Sequence, residues 1–242
     1  LYELTGQKLQ TGNLLHNTGI IYQRSNGLKA LQLHQRALEI FKKLNDRERI
    51  AAEYRTIWVD YNYLSGYPKG LESLRNSLKI FESAGNKLGM GTVYANMGIT
   101  YTYLSNFPKS MEYHKNAIRL YDEISYEKGL ADELGNIGNV YDNMDDSLMA
   151  LQSYRKALDL SKKMDNKKGI GSNLTNMGIV YSYYQNYAQA FQYLTEALSL
   201  YEQIKMKEGI SICLSELACI YRDASDKLLI HFGVNPKNRY VK

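Results

Sequence analysis

Cysteine is scarce. The 242 residues include two, Cys213 and Cys219. They stand six apart on one helical segment, which excludes a Cys-x-x-C redox pair and a zinc knuckle. Buried small apolar residues are the expected role, and so low a count fits a reducing, cytoplasmic setting. The four histidines, His16, His34, His114 and His231, show no His-Glu-x-x-His or other ligand spacing, so neither a metal nor a cofactor is expected. No apolar run approaches the roughly 20 residues of a membrane span, and no leader-like segment opens the chain. Membrane insertion is therefore not expected. Thirty basic against 25 acidic side chains leave a net charge of +5. The lysines are dispersed, and the densest group, Lys162, Lys163, Lys167 and Lys168, is expected on a solvated rim. No segment alternates apolar and polar residues between hairpin turns, so strands are not expected. Without strands there is no strand-to-helix phosphate loop either.

What is abundant is tyrosine, 22 in all, and six of these form a ladder: Tyr22, Tyr61, Tyr101, Tyr141, Tyr181 and Tyr221. The first gap is 39 residues and each later one is 40. A fixed period of that length marks a repeat architecture. Three residues before the tyrosine stands Gly19, Trp58, Gly98, Gly138, Gly178 or Ala218, small in every unit but one. Seven before it stands Leu15, Tyr54, Tyr94, Leu134, Leu174 or Leu214. Offsets of seven, three and zero trace one stripe of an α-helix. Two further small columns follow, Ala30, Gly70, Ser110, Ala150, Ala190 and Ala37, Ser77, Ala117, Ala157, Ala197. An aliphatic pair such as Leu38 and Ile40 or Leu158 and Leu160 closes each set. This is the stripe of a second helix.

The punctuation agrees. Pro68 and Pro108 suit the start of a helix, where a missing N–H costs nothing. Asp46, Asn86 and Asn166 suit the N-cap of the next first helix. Each unit is thus expected to be helix, turn, helix, turn.

These columns resemble the tetratricopeptide repeat, over nearly the whole chain. The resemblance implies an all-α fold, a right-handed α-α superhelix of stacked antiparallel helix pairs. The period departs from the family's usual length of about 34 and resembles its longer-helix subclass. The proline that usually closes the second helix is absent, and Trp58 in the small slot predicts wider local helix spacing. Repeats are expected over 9–48, 49–88, 89–128, 129–168 and 169–208, in one solenoid rather than two globular domains. Residues 1–8 read as the tail of a preceding second helix, because Gly6, Lys8 and Gly12 echo Gly85, Lys87 and Gly91. Residues 209–242 read as a truncated repeat carrying 13 extra residues, since Tyr240 takes the slot of Tyr67, Phe107 and Tyr187. Apolar residues in that insertion, over 223–239, predict that it packs against its repeat. The chain is accordingly expected to be a piece of a longer protein.

Fixing the core stripe fixes the opposite one. Positions nine, six, five and two before the tyrosine, and two after it, share the other face. In tetratricopeptide arrays that face resembles the lining of a concave groove. Five before the tyrosine stand Asn17, Asn96, Asn136 and Asn176. An amide donates and accepts, so it can hold the backbone of an extended peptide, as related arrays do; alternatively, neighbouring asparagines bond one another or the helix ends. Two after the tyrosine stand Tyr63, Tyr103, Asn143 and Tyr183. Exposed tyrosines give rigid contact area, or they pack on the adjacent helix. Arg55 and Asn139 complete the candidate set. The groove is expected to be polar and slightly acidic near Asp132 and Asp142, and basic and aromatic toward Arg55 and Tyr63. His34 and His114 share a slot with Leu74, Tyr154 and Leu194, which points to packing rather than catalysis.

The expected function is binding of a protein or peptide in that groove, with no enzymatic activity in this chain. The period and the late insertion loosely resemble tetratricopeptide sensor regions of bacterial signalling proteins such as nucleotide cyclases or histidine kinases. A peptide-pheromone receptor and a homo-oligomerisation module are the alternatives. RNA binding is disfavoured by the period and weak basicity.

Overall fold

A computed structural model describes residues 2–224, with side chains from Gly6 onward. Eleven α-helices occupy the described residues: α1 (Tyr2–Tyr22), α2 (Gly27–Lys43), α3 (Arg47–Tyr63), α4 (Tyr67–Ser83), α5 (Lys87–Tyr103), α6 (Phe107–Glu123), α7 (Glu127–Asn143), α8 (Ser147–Lys163), α9 (Lys167–Tyr183), α10 (Tyr187–Gln203) and α11 (Lys207–Asp223). There are no strands among them, and no helix is long and apolar enough to cross a membrane. From α2 onward every helix has 17 residues and every connection three. Two such helices with their two turns account for the 40-residue period.

The turns are uniform because each closes in the same way. The last helical carbonyls are capped by a residue in the left-handed region, with φ between 49° and 62°, at Asn45, Ser65, Gly85, Ser105, Ser125, Asp145, Asp165, Gln185 and Lys205. The next N–H then bonds back five residues, as from Gly66 to the Tyr61 carbonyl at 2.7 Å and from Asn166 to that of Ser161 at 2.9 Å. This is the Schellman closure. The residue after it caps the next helix. Asp46, Asn86 and Asn166 accept from the N–H three residues on, as their positions predict. Asn26, Asn106, Asp146 and Asn186 do the same for the second helices. Pro68 and Pro108 occupy the first turns of α4 and α6.

Two expected features take another form. Helix α1 runs unbroken from Tyr2 through Gly6, where the echo of 80–91 predicts a helix end and a turn. The residue in the capping slot is Gln7 rather than Asn86, and its longer side chain makes a poor N-cap. The helices also begin two residues before the expected repeat bounds, at Arg47, Lys87, Glu127, Lys167 and Lys207. The insertion expected at 223–239 lies outside the described residues beyond Ala224.

The chain divides into two compact units, 1–125 and 126–242, at a repeat boundary. The first holds α1–α6 as three antiparallel pairs. The second holds the pairs α7/α8 and α9/α10, then α11. Within the first unit α2 also packs on α3 and α4 on α5, and within the second α8 packs on α9 and α10 on α11.

Both small columns of the second helices are fully buried: Ala30, Ser110, Ala150, Ala190, Ala37, Ser77, Ala117, Ala157 and Ala197 are 0% exposed. The glycine column of the first helices receives one bulky side chain from the paired helix. A methyl group added at Gly19, Gly98, Gly138 or Gly178 would lie 2.3–2.7 Å from His34, His114, Tyr154 or Leu194 respectively. In the second repeat the pattern inverts. Trp58 fills the small slot and Gly70 of α4 makes room, a Cβ there lying 3.2 Å from the indole. The Trp58 Nε1 donates to Thr100 Oγ1 at 2.8 Å.

The ladder tyrosines are only half-buried, except Tyr101. The fully buried columns flank them, at Ile57, Met97, Ile137, Met177 and Leu217 and at Val140, Val180 and Ile220. A first helix packs on its own partner and on neighbouring repeats, so its buried arc is wider than one stripe. In α11, Leu214 is 52% exposed and Ala218 is exposed. Cys213 is buried and Cys219 half-buried, both as free thiols.

Candidate functional site

In the second unit the first helices α7 and α9 lie side by side, and a cleft of 380 Å³ runs between them. Three of the expected residues, Asn136, Asn139 and Asn176, line it, together with Asp132 and Gly135 of the same stripe. Their offsets place them on one face of each helix, and Ala131, Gly135 and Gly169 keep the floor low. A Cβ at Gly135 would meet nothing closer than Asn173 Oδ1 at 3.3 Å, so that glycine opens onto space. Lys128 and Lys168 stand at one end of the cleft, with Ser172 and Asn173 along its α9 side.

The lysines were legible in register. Both stand thirteen residues before a ladder tyrosine, so extending the groove stripe by one turn reaches them. Lys168 is therefore a cleft residue as well as a member of the basic cluster assigned to the rim. With two lysines beside Asp132, the cleft is mixed in sign where the stripe alone suggested an acidic middle.

The amides divide into two roles. Asn139 Oδ1 accepts from Tyr154 Oη at 2.8 Å and from Asn176 Nδ2 at 3.1 Å. Tyr154 is 1% exposed, and burial, with the nearby Asp142 second, pushes its phenol pKa well up. It therefore stays a neutral donor. Asn139 is the hub that holds α7, α8 and α9 together here. Asn136 Nδ2 donates to the buried Glu133 at 2.9 Å, which orients its amide. Asn173 is tied to the Gly169 carbonyl at 2.9 Å. The Asp132 carboxyl lies above the usual carboxylate range, chiefly because surrounding protein displaces water; Glu133 adds to this, and Lys128 and Lys168 oppose it. Asn143 does not line the cleft and bonds back to the Asn139 carbonyl at 2.6 Å. Tyr183 is 74% exposed and meets Tyr184 edge to face at 5.2 Å.

The remaining expected residues belong to the first unit. Asn17 is exposed and Asn96 half-buried. The Arg55 Nε is buried without a hydrogen-bond partner, and burial lowers the pKa of its guanidinium. Tyr63 is 55% exposed. Tyr103 is 62% exposed and stacks on Tyr67 at 5.9 Å. A separate cavity of 560 Å³ in this unit, between α1 and α2, is lined by Thr11, Gln35, Arg36, Glu39 and others, and contains none of the expected site residues.

Residues 130–203 match the family model of the tetratricopeptide repeat. That span holds most of α7 together with α8, α9 and α10, and therefore all of the cleft but Lys128. From α2 onward the same helix lengths and turns continue through the described residues outside it. Among solved structures, the Rap conjugation gene regulator of plasmid pLS20 in complex with the Phr* peptide aligns at a TM-score of 0.80 and 15% identity, covering 96% of this chain and 64% of that one. A signal transduction ATPase with numerous domains and a tetratricopeptide repeat sensor, from Pyrococcus horikoshii, aligns at 0.68 and 15% identity over 96% of this chain and 35% of its own. BtubC from P. vanneervenii aligns at 0.63 and 17% identity, over 84% and 91%. The chain thus spans under two thirds of the length of the first two. At these identities the likeness shows the fold. No curated protein sequence matches the chain.

Proposed function

We propose that this chain is a binding scaffold that holds an extended, polar peptide segment in the α7–α9 cleft. The observation that carries the proposal is the cleft itself: a 380 Å³ trough with a glycine floor, walled by oriented amides and closed at one end by two lysines. Asn136 and Asn176 each spend a donor on the protein and keep their amide oxygens for a ligand's backbone N–H groups. Lys128 and Lys168 suit an acidic side chain or a C-terminal carboxylate. The alignment with a peptide-bound Rap regulator supports a peptide receptor over a homo-oligomerisation module. A sensor role in a larger, cytoplasmic bacterial signalling protein fits the same cleft.

The test is a displayed peptide library selected on this chain, with affinities of the selected peptides measured by calorimetry. Gly135→Leu fills the trough, and its Cβ meets only the end of a flexible side chain. It should weaken binding at least about tenfold with helicity unchanged. Asn136→Leu should do the same. Selected peptides that bind Gly135→Leu as well as they bind the parent would remove the cleft from consideration. A concentration-dependent mass without any peptide binding would favour the oligomerisation module.

A further inference from the structure

The first unit buries a polar cluster that the helix packing does not need. Glu53 of α3 is 2% exposed and Asp60 of the same helix 0% exposed. Glu53 Oε2 lies 2.8 Å from His16 Nδ1 of α1. Asp60 Oδ2 lies 2.5 Å from His34 Nδ1 of α2, and Gln23 Nε2 donates to Asp60 Oδ1 at 3.0 Å. In the other repeats the Asp60 slot holds Ile21, Thr100, Val140, Val180 or Ile220, and the His34 slot also takes Leu74 and Leu194. The repeat therefore also folds around apolar side chains at these points. His114 and Glu133 recur singly in the His34 and Glu53 slots, and among the described residues the groups of His16, His34 and Glu53 converge.

Such a cluster is costly unless its charges are balanced. Two buried carboxylates face two imidazoles, and Glu53 Oε1 is buried with no hydrogen-bond partner. His16, His34 and Glu53 each offer one ligand atom, all within 4.8 Å of one another. With Asp60 on Nδ1 of His34, Nε2 lies 3.2 Å from the His16 carbonyl, and it coordinates on giving up that hydrogen bond. A carboxylate behind a histidine is the outer-shell arrangement that orients such ligands and raises their basicity. One divalent cation with two neutral imidazoles balances both carboxylates and gives Glu53 the partner it lacks.

We infer that His16, His34 and Glu53 form a binding site for a divalent transition metal of the zinc class. The site has two nitrogen ligands, one oxygen ligand and a fourth position for water. The ligands come from three helices, so the ion ties the first helix pair to the second. Chain spacing concealed the site, because the ligands are 18 and 19 residues apart and meet only through the repeat fold.

The experiment uses this chain, stripped with chelator and titrated with Zn²⁺ by calorimetry and with Co²⁺ by visible absorption. One equivalent of Zn²⁺ should bind, and Co²⁺ should give the intense d–d band of a low-coordinate site. Glu53→Gln is close to isosteric, and the His16→Gln side chain reaches solvent. Each should weaken binding more than tenfold with helicity retained. Asp60→Asn should keep the Co²⁺ band but weaken affinity about 10- to 100-fold. Absence of saturable binding to the parent overturns the inference, as does a weak octahedral Co²⁺ spectrum. Unchanged affinity in Glu53→Gln or in His16→Gln overturns it equally.

Discussion

Gly135 and Gly138 lie three residues apart on α7, and adding a methyl group to each should have opposite effects. In a helix interior, alanine is favoured over glycine by about 1 kcal/mol. At Gly135 the new Cβ would meet only Asn173 Oδ1, at 3.3 Å, and a side-chain amide can move a few tenths of an ångström. The propensity gain then survives nearly whole, and Gly135→Ala should stabilise by about 0.5–1 kcal/mol. At Gly138 the Cβ would lie 2.5 Å from Tyr154 Cε1 and 2.6 Å from Cδ1. That ring cannot withdraw freely. It is 1% exposed, and its hydroxyl is held at 2.8 Å by Asn139. Overpacking of this kind costs about 1–3 kcal/mol, and a displaced hydroxyl left buried without its acceptor about 1–3 kcal/mol more. Net destabilisation by Gly138→Ala should be roughly 2–4 kcal/mol. Urea unfolding followed by far-ultraviolet circular dichroism measures both, with the slope on denaturant checked for constancy. Gly138→Ala as stable as the parent would refute the reading that this column exists to admit a side chain. Gly135→Ala as damaging as Gly138→Ala would refute the open floor of the cleft.

Three further outcomes are expected. Asn139→Ala orphans the Tyr154 hydroxyl and the Asn176 amide together, and should cost about 2–3 kcal/mol, whereas adding Tyr154→Phe should recover about 1 kcal/mol of that in a double-mutant cycle; independent, additive effects would show that the hub is not coupled. Lys205 sits at φ 55°, a conformation unfavourable for a long side chain, so Lys205→Gly should raise stability by roughly 0.5–1 kcal/mol and Asn45→Gly by much less, as melting temperatures will show. For Asp132, the folded-state pKa lies above the ordinary value, so its contribution is favourable while the group keeps its proton and is lost as pH rises through the folded pKa. Asp132→Asn should therefore match the parent at the acid end and become the more stable of the two toward neutrality; a stability difference independent of pH would contradict this.

The period, helix pairing and small-residue columns were legible because a stack of helix pairs repeats the same steric demand at the same interval. Ala37, Ala117, Ala157 and Ala197 are each 0% exposed, and no local context overrides them. The turns were legible only in part. Asparagine and aspartate caps announce themselves, but the left-handed residue is glycine once and otherwise Asn, Ser, Asp, Gln or Lys. No residue preference marks that slot, because the closure is imposed by backbone bonds to the preceding turn. The core stripe drawn through the tyrosines was too narrow. It described one contact surface of a helix that has contacts on several sides, so Met97, Ile137 and Ile220 were missed.

The same limit governs the site. The offset rule placed Asn136 and Asn176 on one face, but an offset does not say which polar atoms the protein already uses. Asn139 has the right face and offset, yet Tyr154 and Asn176 occupy its oxygen. Asn143 has the offset and spends its donor on a carbonyl one turn back. Repetition predicts where side chains lie; departures from repetition reveal what they are for. Gly135 where α3 and α5 carry Arg55 and Ala95, and Glu53 in a slot that α5 fills with Val93 and α7 with Glu133, are positions where an apolar or larger side chain also fits the repeat. The first opens the cleft and the second completes the buried His16–Glu53 pair. Exchanging the two functional departures for their repeat equivalents, Gly135→Ala and Glu53→Val, should therefore leave the helix stack intact. A larger residue at the first position should close the peptide trough, and the second exchange should abolish metal binding. Collapse of the fold on Glu53→Val would mean instead that the polar pair is part of the stack.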